Sequence, residues 1–184
     1  MNSYDEYLDS LRLSGLQELA SGSSAKIFQH PLHENVVVRV FTQDDKGYRT
    51  WLKFVLRNPH NRFVPKIIRN ERNKLFYYTN LDADTRMYLV FIKKYKPLTR
   101  IQWNDLMTLL YKMAEMRPKY YELESRLWWN LVDNPHFEQE FGDDGVAIAR
   151  YLVQNSHMID LHSHNIMYDV EGNGIIFTDP LDAV

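Results

Sequence analysis

The chain has 184 residues, 45% hydrophobic and 25% charged, with a net charge of -2, an ordinary globular balance with length enough for one good core. That charge argues against a general polyanion binder, and the lack of any cysteine excludes disulfides, thiolate catalysis and cysteine-ligated zinc. No run approaches the roughly 18 apolar residues of a membrane helix, and Met1-Asn2-Ser3-Tyr4-Asp5-Glu6 has no signal-peptide character, so a cytoplasmic protein without membrane contact is expected.

In chain order, Ser3 with Glu6 reads as a capping box opening a helix through Leu13, which Ser14-Gly15 ends. Glu18 to Phe28 reads as a strand, a tight turn of small residues at Gly22-Ser23-Ser24-Ala25, and a second strand. No bulky side chain blocks the amides of that turn, so they could approach phosphates. Asn35 to Phe41 is a third strand, a β-branched run with one cation, Arg39, among valines. Lys46 to Leu56 has helical spacing. After the loop at Asn58-Pro59-His60-Asn61, strands are expected at Phe63 to Arg69, Lys74 to Tyr78 and Met87 to Ile92, with a turn at Asn80 to Asp84.

From Thr99 the pattern becomes helical. Leu106, Leu109, Leu110, Met113 and Met116 repeat at helical spacing, Tyr121 to Val132 continues with Trp128-Trp129, and Gly145 to Gln154 forms a further helix. The methionines and tryptophans suit a core better than a ligand box. Charge is uneven: Arg57 to Lys74 is basic, with Glu71 its single acid, whereas Asp133 to Asp144 carries five acids and no lysine or arginine. Solvated faces explain the basic stretch as well as nucleic acid does, and no nucleic-acid partner is expected.

The last quarter carries the chemistry. Asp160 is followed five residues later by Asn165, and Asp179 comes after the apolar run Ile175-Ile176-Phe177. Phosphoryl transfer needs a carboxylate to orient an attacking hydroxyl and oxygen ligands that hold magnesium against phosphates. Asp160 suits the first task, and Asn165 with Asp179 the second. A hairpin through Asp169, Gly172, Asn173 and Gly174 would return the chain and deliver Asp179. Taken singly, each of the three is also an ordinary turn former. A rival reading gathers His157, Asp160, His162 and His164 into a zinc or iron site, but leaves Asn165, Asp179 and the upstream turn unexplained.

With Gly22 to Ala25 in the place of a Gly-rich loop and Arg39 in the place of the phosphate-binding lysine, the first part resembles a protein-kinase amino-terminal lobe. The His30-Pro31-Leu32 turn, the Val38-Arg39-Val40 strand, the run Asp160, His162, Ser163, Asn165, Ile166, Met167, and Thr178-Asp179-Pro180 together resemble the early, host shut-off serine/threonine protein kinases of short-tailed coliphages. The likeness covers roughly residues 16 to 41 and 150 to 182. Asp160-Leu161-His162-x-x-Asn165 is also similar to the catalytic loop of aminoglycoside and other small-molecule phosphotransferases.

The resemblance implies an α+β, minimal kinase-like fold of one two-lobed domain over residues 1 to 184. An antiparallel-sheet lobe would span 1 to 92, a hinge 93 to 98, and a reduced helical lobe 99 to 184, lacking an activation segment and later helices. It implies ATP and Mg2+, with Asp160 as base and His162 near the phosphates. Gly22, Ser23, Ser24, Ala25, Val37, Arg39, Ile92 and Lys93 would hold the nucleotide, and Asn165 and Asp179 the metal. Arg39 replaces a lysine, Met158-Ile159 replaces the His-Arg before the catalytic acid, and the helix after the third strand has no glutamate for Arg39, leaving Asp44, Asp45 or the nucleotide itself as candidates. Three functions follow: a protein kinase acting on host proteins, a pseudokinase that senses nucleotide or binds a partner, or a small-molecule phosphotransferase. If the usual helical platform is missing, a partner or a second copy would cover the helical lobe.

Overall fold

The computed structural model describes residues 4–22, 25–69, 76–80, 85–116, 124–155 and 159–181. Its elements are α1 (Tyr4–Leu13), β1 (Glu18–Ser21), β2 (Ala25–Gln29), β3 (Val36–Thr42), α2 (Lys46–Arg57), β4 (Phe76–Asn80) and β5 (Arg86–Lys93), followed by β6 (Lys96–Pro97), α3 (Arg100–Met113), α4 (Glu124–Val132), α5 (Pro135–Gln154), β7 (Ile166–Asp169) and β8 (Gly174–Phe177). They fall into two units, Met1–Arg49 with Pro65–Lys94, and Thr50–Val64 with Tyr95–Val184. The architecture is α+β, with an antiparallel sheet in the first unit and helices in the second. The units divide between Lys94 and Tyr95, and Thr50–Val64 groups with the second unit.

In the first unit five antiparallel strands run in the order β1-β2-β3-β5-β4. Directly paired residues share a face. Phe28, Val38, Val40 and Met87 form the core of one face with Leu8, and Tyr4, Tyr7 and Leu11 pack around them. The spacing of Tyr4, Tyr7, Leu8 and Leu11 gives α1 the apolar stripe that covers this face. The other face carries the pairs Ile27 with Arg39, Val37 with Ile92, and Arg39 with Val90.

The expected strand at Phe63 to Arg69 is not a strand; it makes one bridge, Ile67 to Ile92. Ile68 N–H donates to Phe91 O at 2.8 Å and Lys93 N–H to Lys66 O at 3.0 Å. Pro65 has no N–H to give a ladder, and among the described residues β4 pairs with β5 from Val90 to Arg86, so this short pairing lies along β5 next to it. Of the expected strand at Lys74 to Tyr78, the part from Phe76 opens β4. Lys74 and Leu75 lie outside the described residues; of the expected turn at Asn80 to Asp84, Asn80 ends β4 and the rest lies outside the described residues.

In the second unit, α3 opens with a capping box between Thr99 and Gln102. The expected helix at Tyr121 to Val132 is α4 from Glu124 onward, its first three positions lying outside the described residues. Asn134 caps α5 by accepting from His136 N–H at 2.9 Å and Phe137 N–H at 3.1 Å, with Pro135 in the first turn. The expected helix at Gly145 to Gln154 is the later part of this longer one, broken at Gly142, where φ is 64°. A Cβ on Gly145 would lie 2.3 Å from Phe141 Cβ, so glycine there permits the close turn. Leu127, Trp128, Leu131, Phe137, Ile148, Ala149 and Leu152 are buried together with Ile166 and Phe177 of the β7–β8 hairpin, whereas Trp129 is exposed. β6, β7 and β8 make a second antiparallel sheet. Among the described residues no helix is long and apolar enough to cross a membrane.

Tyr151 joins α5 to the Thr50–Arg57 part of α2. Its hydroxyl donates to Thr50 O at 2.6 Å and its ring stacks on Phe54 at 4.3 Å. Burial, partly offset by Arg57, pushes its phenol up to about 12 from 10.0. The folded state therefore holds the proton more tightly, so this group's contribution is intact below pH 10 and is lost as pH rises from 10 towards 12. Thermal melts across that range are expected to fall less steeply for Tyr151→Phe than for the parent; equal slopes would refute this origin.

Candidate functional site

The β7–β8 hairpin positions the carboxy-terminal cluster. Ile166 pairs with Phe177 and Asp169 with Gly174, and Asn173 takes the positive φ of 51° that lets the chain reverse. Asp169 Oδ1 accepts from Glu171 N–H at 3.2 Å within this turn. The expected hairpin is thus present, and β8 leads directly to Asp179.

Asn165 is the centre of the cluster. Its Nδ2 donates to Asp160 O at 2.8 Å and to Asp160 Oδ2 at 3.1 Å. Its carbonyl accepts from Thr178 N–H at 2.8 Å, Thr178 Oγ1 at 3.0 Å and Asp179 N–H at 3.3 Å. Asp160 N–H in turn donates to Pro180 O at 3.0 Å, and Ile159 bridges Leu181. The structure therefore brings Asp160, Asn165 and Asp179 into one hydrogen-bonded network. Asn165 is buried and Asp179 Oδ1 is shielded from solvent, while the Asp160 side chain is 40% exposed. A reachable carboxylate thus sits beside two held oxygen-bearing groups.

His162 adjoins them. Its Nδ1 accepts from His164 N–H at 3.1 Å and its Nε2 lies 3.4 Å from Asp160 Oδ2. With Nδ1 acting as an acceptor, the neutral ring carries its proton on Nε2, facing Asp160. Among the described residues no group of three or more His, Asp or Glu is arranged to hold a metal ion; His157, a member of the rival zinc set, lies outside them. The residues do fit a hard cation. With Nδ2 committed to Asp160, Asn165 presents Oδ1, and with the Asp179 carboxylate the donor set is all oxygen, as Mg2+ requires.

The first unit holds the other expected residues. Arg39 is almost buried, one guanidinium nitrogen lies 3.3 Å from Asp45 Oδ2, and its guanidinium carbon lies 3.7 Å from the centre of the Tyr48 ring. Of the two acidic candidates, Asp45 is the one engaged. Val37 and Ile92 pair on the same sheet face as Arg39, whereas Lys93 pairs with Val36 on the opposite face, and its N–H is taken up by Lys66 O. Gly22 N–H donates to Ala25 O at 2.9 Å, closing the β1–β2 hairpin; its tip, Ser23 and Ser24, lies outside the described residues. A Cβ on Gly22 would meet Ala25 O at an ordinary 3.7 Å, so the hairpin itself does not demand glycine there.

Three supporting residues were not anticipated. Tyr48 stacks on Arg39, Thr178 holds the Asn165 carbonyl, and Phe63 O accepts Phe177 N–H at 2.9 Å. Tyr48 had a sequence signal, since Asp45 three residues before it has the spacing of a helix N-cap, and Thr178 stood in the Thr178-Asp179-Pro180 run that carries the resemblance.

No protein-family model matches the chain, and a search of curated proteins finds no match. A comparison with solved structures returns partial likenesses. An amicoumacin kinase in complex with AMP-PNP and Ca2+ is 16% identical, with a TM-score of 0.46 over 96% of this chain and 64% of its own. Aminoglycoside phosphotransferase APH(4)-Ia is 14% identical, with a TM-score of 0.41 over 94% of this chain and 70% of its own. Spectinomycin phosphotransferase APH(9)-Ia, in complex with ADP and spectinomycin, is 17% identical, with a TM-score of 0.42 over 91% and 64%. The chain thus spans about two thirds of the length of these proteins.

Proposed function

We propose that this chain is an ATP-dependent phosphotransferase that transfers the γ-phosphoryl group to a hydroxyl. The observation that carries this reading is the Asn165 network, in which one side chain donates to both Asp160 O and Asp160 Oδ2 while its carbonyl holds Asp179 N–H. Three turn-forming residues serving local turns alone need not converge on one another over the whole stretch from Asp160 to Asp179.

In this reading the exposed Asp160 carboxylate accepts the hydrogen bond of the attacking hydroxyl and takes its proton as the new O–P bond forms and the bond from the γ-phosphorus to the β–γ bridging oxygen breaks, with ADP leaving. Asn165 fixes Asp160 through its amide and, with Asp179, would hold Mg2+; the ion neutralises phosphate charge when bound. His162 orients Asp160 from the side opposite its own His164 contact. Arg39 and the amides of the Gly22 to Ala25 turn bind phosphate oxygens, and Val37 with Ile92 supplies apolar surface for the base.

Two acceptor classes fit the site. The loop Asp160-Leu161-His162 followed by Asn165 favours a small-molecule hydroxyl, by its likeness to small-molecule phosphotransferases. The paired resemblance of residues 16 to 41 and 150 to 182 favours serine or threonine of a protein, and for phage-type enzymes that means host proteins. Incubation with γ-labelled ATP, Mg2+ and a cell extract separated into protein and filtrate decides between them. Label in the filtrate supports the first class and label on protein the second. No transfer to either, with ATP still bound, leaves a pseudokinase and overturns the phosphotransferase reading.

A further inference from the structure

We propose that Gln29 is a positioning residue for the nucleobase, holding the β2–β3 turn and Lys94 in one arrangement at the end of the apolar row that Val37 and Ile92 supply; this rests on the phosphotransferase reading above. Gln29 pairs with Val37 and Val37 with Ile92, so the three stand side by side on one face across β2, β3 and β5. The Gln29 amide group is committed to the turn. Its Nε2 lies 3.0 Å from both His33 O and Val36 O, 3.2 Å from Glu34 O and 3.4 Å from His30 O. Its Oε1 accepts from Lys94 Nζ at 2.6 Å. The Lys94 backbone joins the same turn, its N–H donating to Asn35 O at 2.8 Å.

These surroundings call for an amide. Carbonyl oxygens only accept and an ammonium only donates, so one side chain must offer a donor and an acceptor at its end. A glutamate would set a carboxylate among four carbonyl oxygens, a lysine would oppose the Lys94 ammonium, and a leucine would satisfy neither. The two amide hydrogens serve the shortest contacts, His33 O and Val36 O, which also accept from Val36 N–H and His30 N–H at 3.1 Å. One side chain thus closes the turn between β2 and β3. The bond to Lys94 Nζ is exposed and contributes less than the part-buried contacts to His30 O and Val36 O. Lys94 ends the first unit, and the expected hinge, 93 to 98, runs through it. With Lys93 N–H held by Lys66 O on one side and Lys94 by this turn on the other, the path of the chain past Val37 and Ile92 is set before a base binds. Releasing Gln29 loosens one of these two anchors and leaves the phosphate and metal groups as they are.

The test separates positioning of the base from mere support of the fold. In the full chain, Gln29→Leu is expected to raise the Kd of ATP by calorimetry about tenfold, and Lys94→Met about threefold. Both variants should keep the parent's ratio of ATP affinities with and without Mg2+, because the metal ligands are untouched, whereas a general distortion would lower that ratio as well. Adding Lys94→Met to Gln29→Leu should cause little further loss, because the two residues act as one unit. A folded Gln29→Leu protein that binds ATP within about twofold of the parent overturns the proposal, and so does a loss in which the Mg2+ ratio collapses too. Should that variant not fold, Gln29→Lys decides: it still donates to the carbonyls but meets Lys94 as a like charge, and unchanged ATP affinity there has the same meaning. A parent protein that binds no nucleotide removes the phosphotransferase reading and this proposal together, whereas parent binding with indifferent variants removes this proposal alone.

Discussion

Asp160→Asn is expected to lower phosphoryl transfer about a thousandfold while leaving MgATP affinity within about threefold of the parent. The substitution is nearly isosteric, and the firmest contact at this position, Asn165 Nδ2 to the Asp160 carbonyl at 2.8 Å, is to backbone and survives it. Only the exposed carboxylate is lost, and with it the acceptor for the hydroxyl proton. Single-turnover transfer of label together with calorimetric MgATP binding distinguishes this loss from a general failure of the site. A comparable fall in both would show that Asp160 supports the cluster rather than the chemistry. Full activity would remove it from the mechanism.

The largest expected effect on stability is at Trp128. It is 1% exposed, and its ring meets Phe137 edge-on at 6.3 Å and Phe177 at 5.8 Å. Truncation to alanine opens a cavity on both sides and should cost about 3–5 kcal/mol, lowering Tm by roughly 10 °C for a chain of this size. Among the described residues the indole Nε1 has no hydrogen-bond partner, so the loss is one of packing. Trp128→Phe should therefore recover much of it. Phe177 stands two residues before Asp179, so the alanine variant is also expected to weaken MgATP binding at temperatures where it remains folded. A melt within about 2 °C of the parent would show that this core tolerates the gap.

The residues of the Asn165 cluster were legible in the sequence because their arrangement is mostly local. A five-residue loop and a hairpin with Asn173 and Gly174 at its turn suffice to bring Asp160, Asn165 and Asp179 together. The β-branched run of β3 was legible for the same reason, since composition along an element is a local signal. The engagement of Arg39 by Asp45 was one of three options until the cap at Tyr48 N–H set the carboxylate's direction. The Phe63 to Arg69 segment was misread because its β-branched residues outweighed Pro65. The beginning of α5 was missed because Gly142 divides its pattern, although Asn134-Pro135 carried the cap-and-proline signal of a helix start. Contacts such as Phe63 O to Phe177 N–H depend on tertiary packing and left no trace in local sequence.

The role assigned to the Asn165 network is tested most directly by titrating ATP into the parent and into Asp179→Asn, each with and without Mg2+. The parent is expected to bind ATP at least about tenfold more tightly with Mg2+ than without it, and Asp179→Asn to lose most of that difference. ATP affinity that ignores Mg2+ in the parent, or a Mg2+ dependence that survives intact in Asp179→Asn, contradicts it.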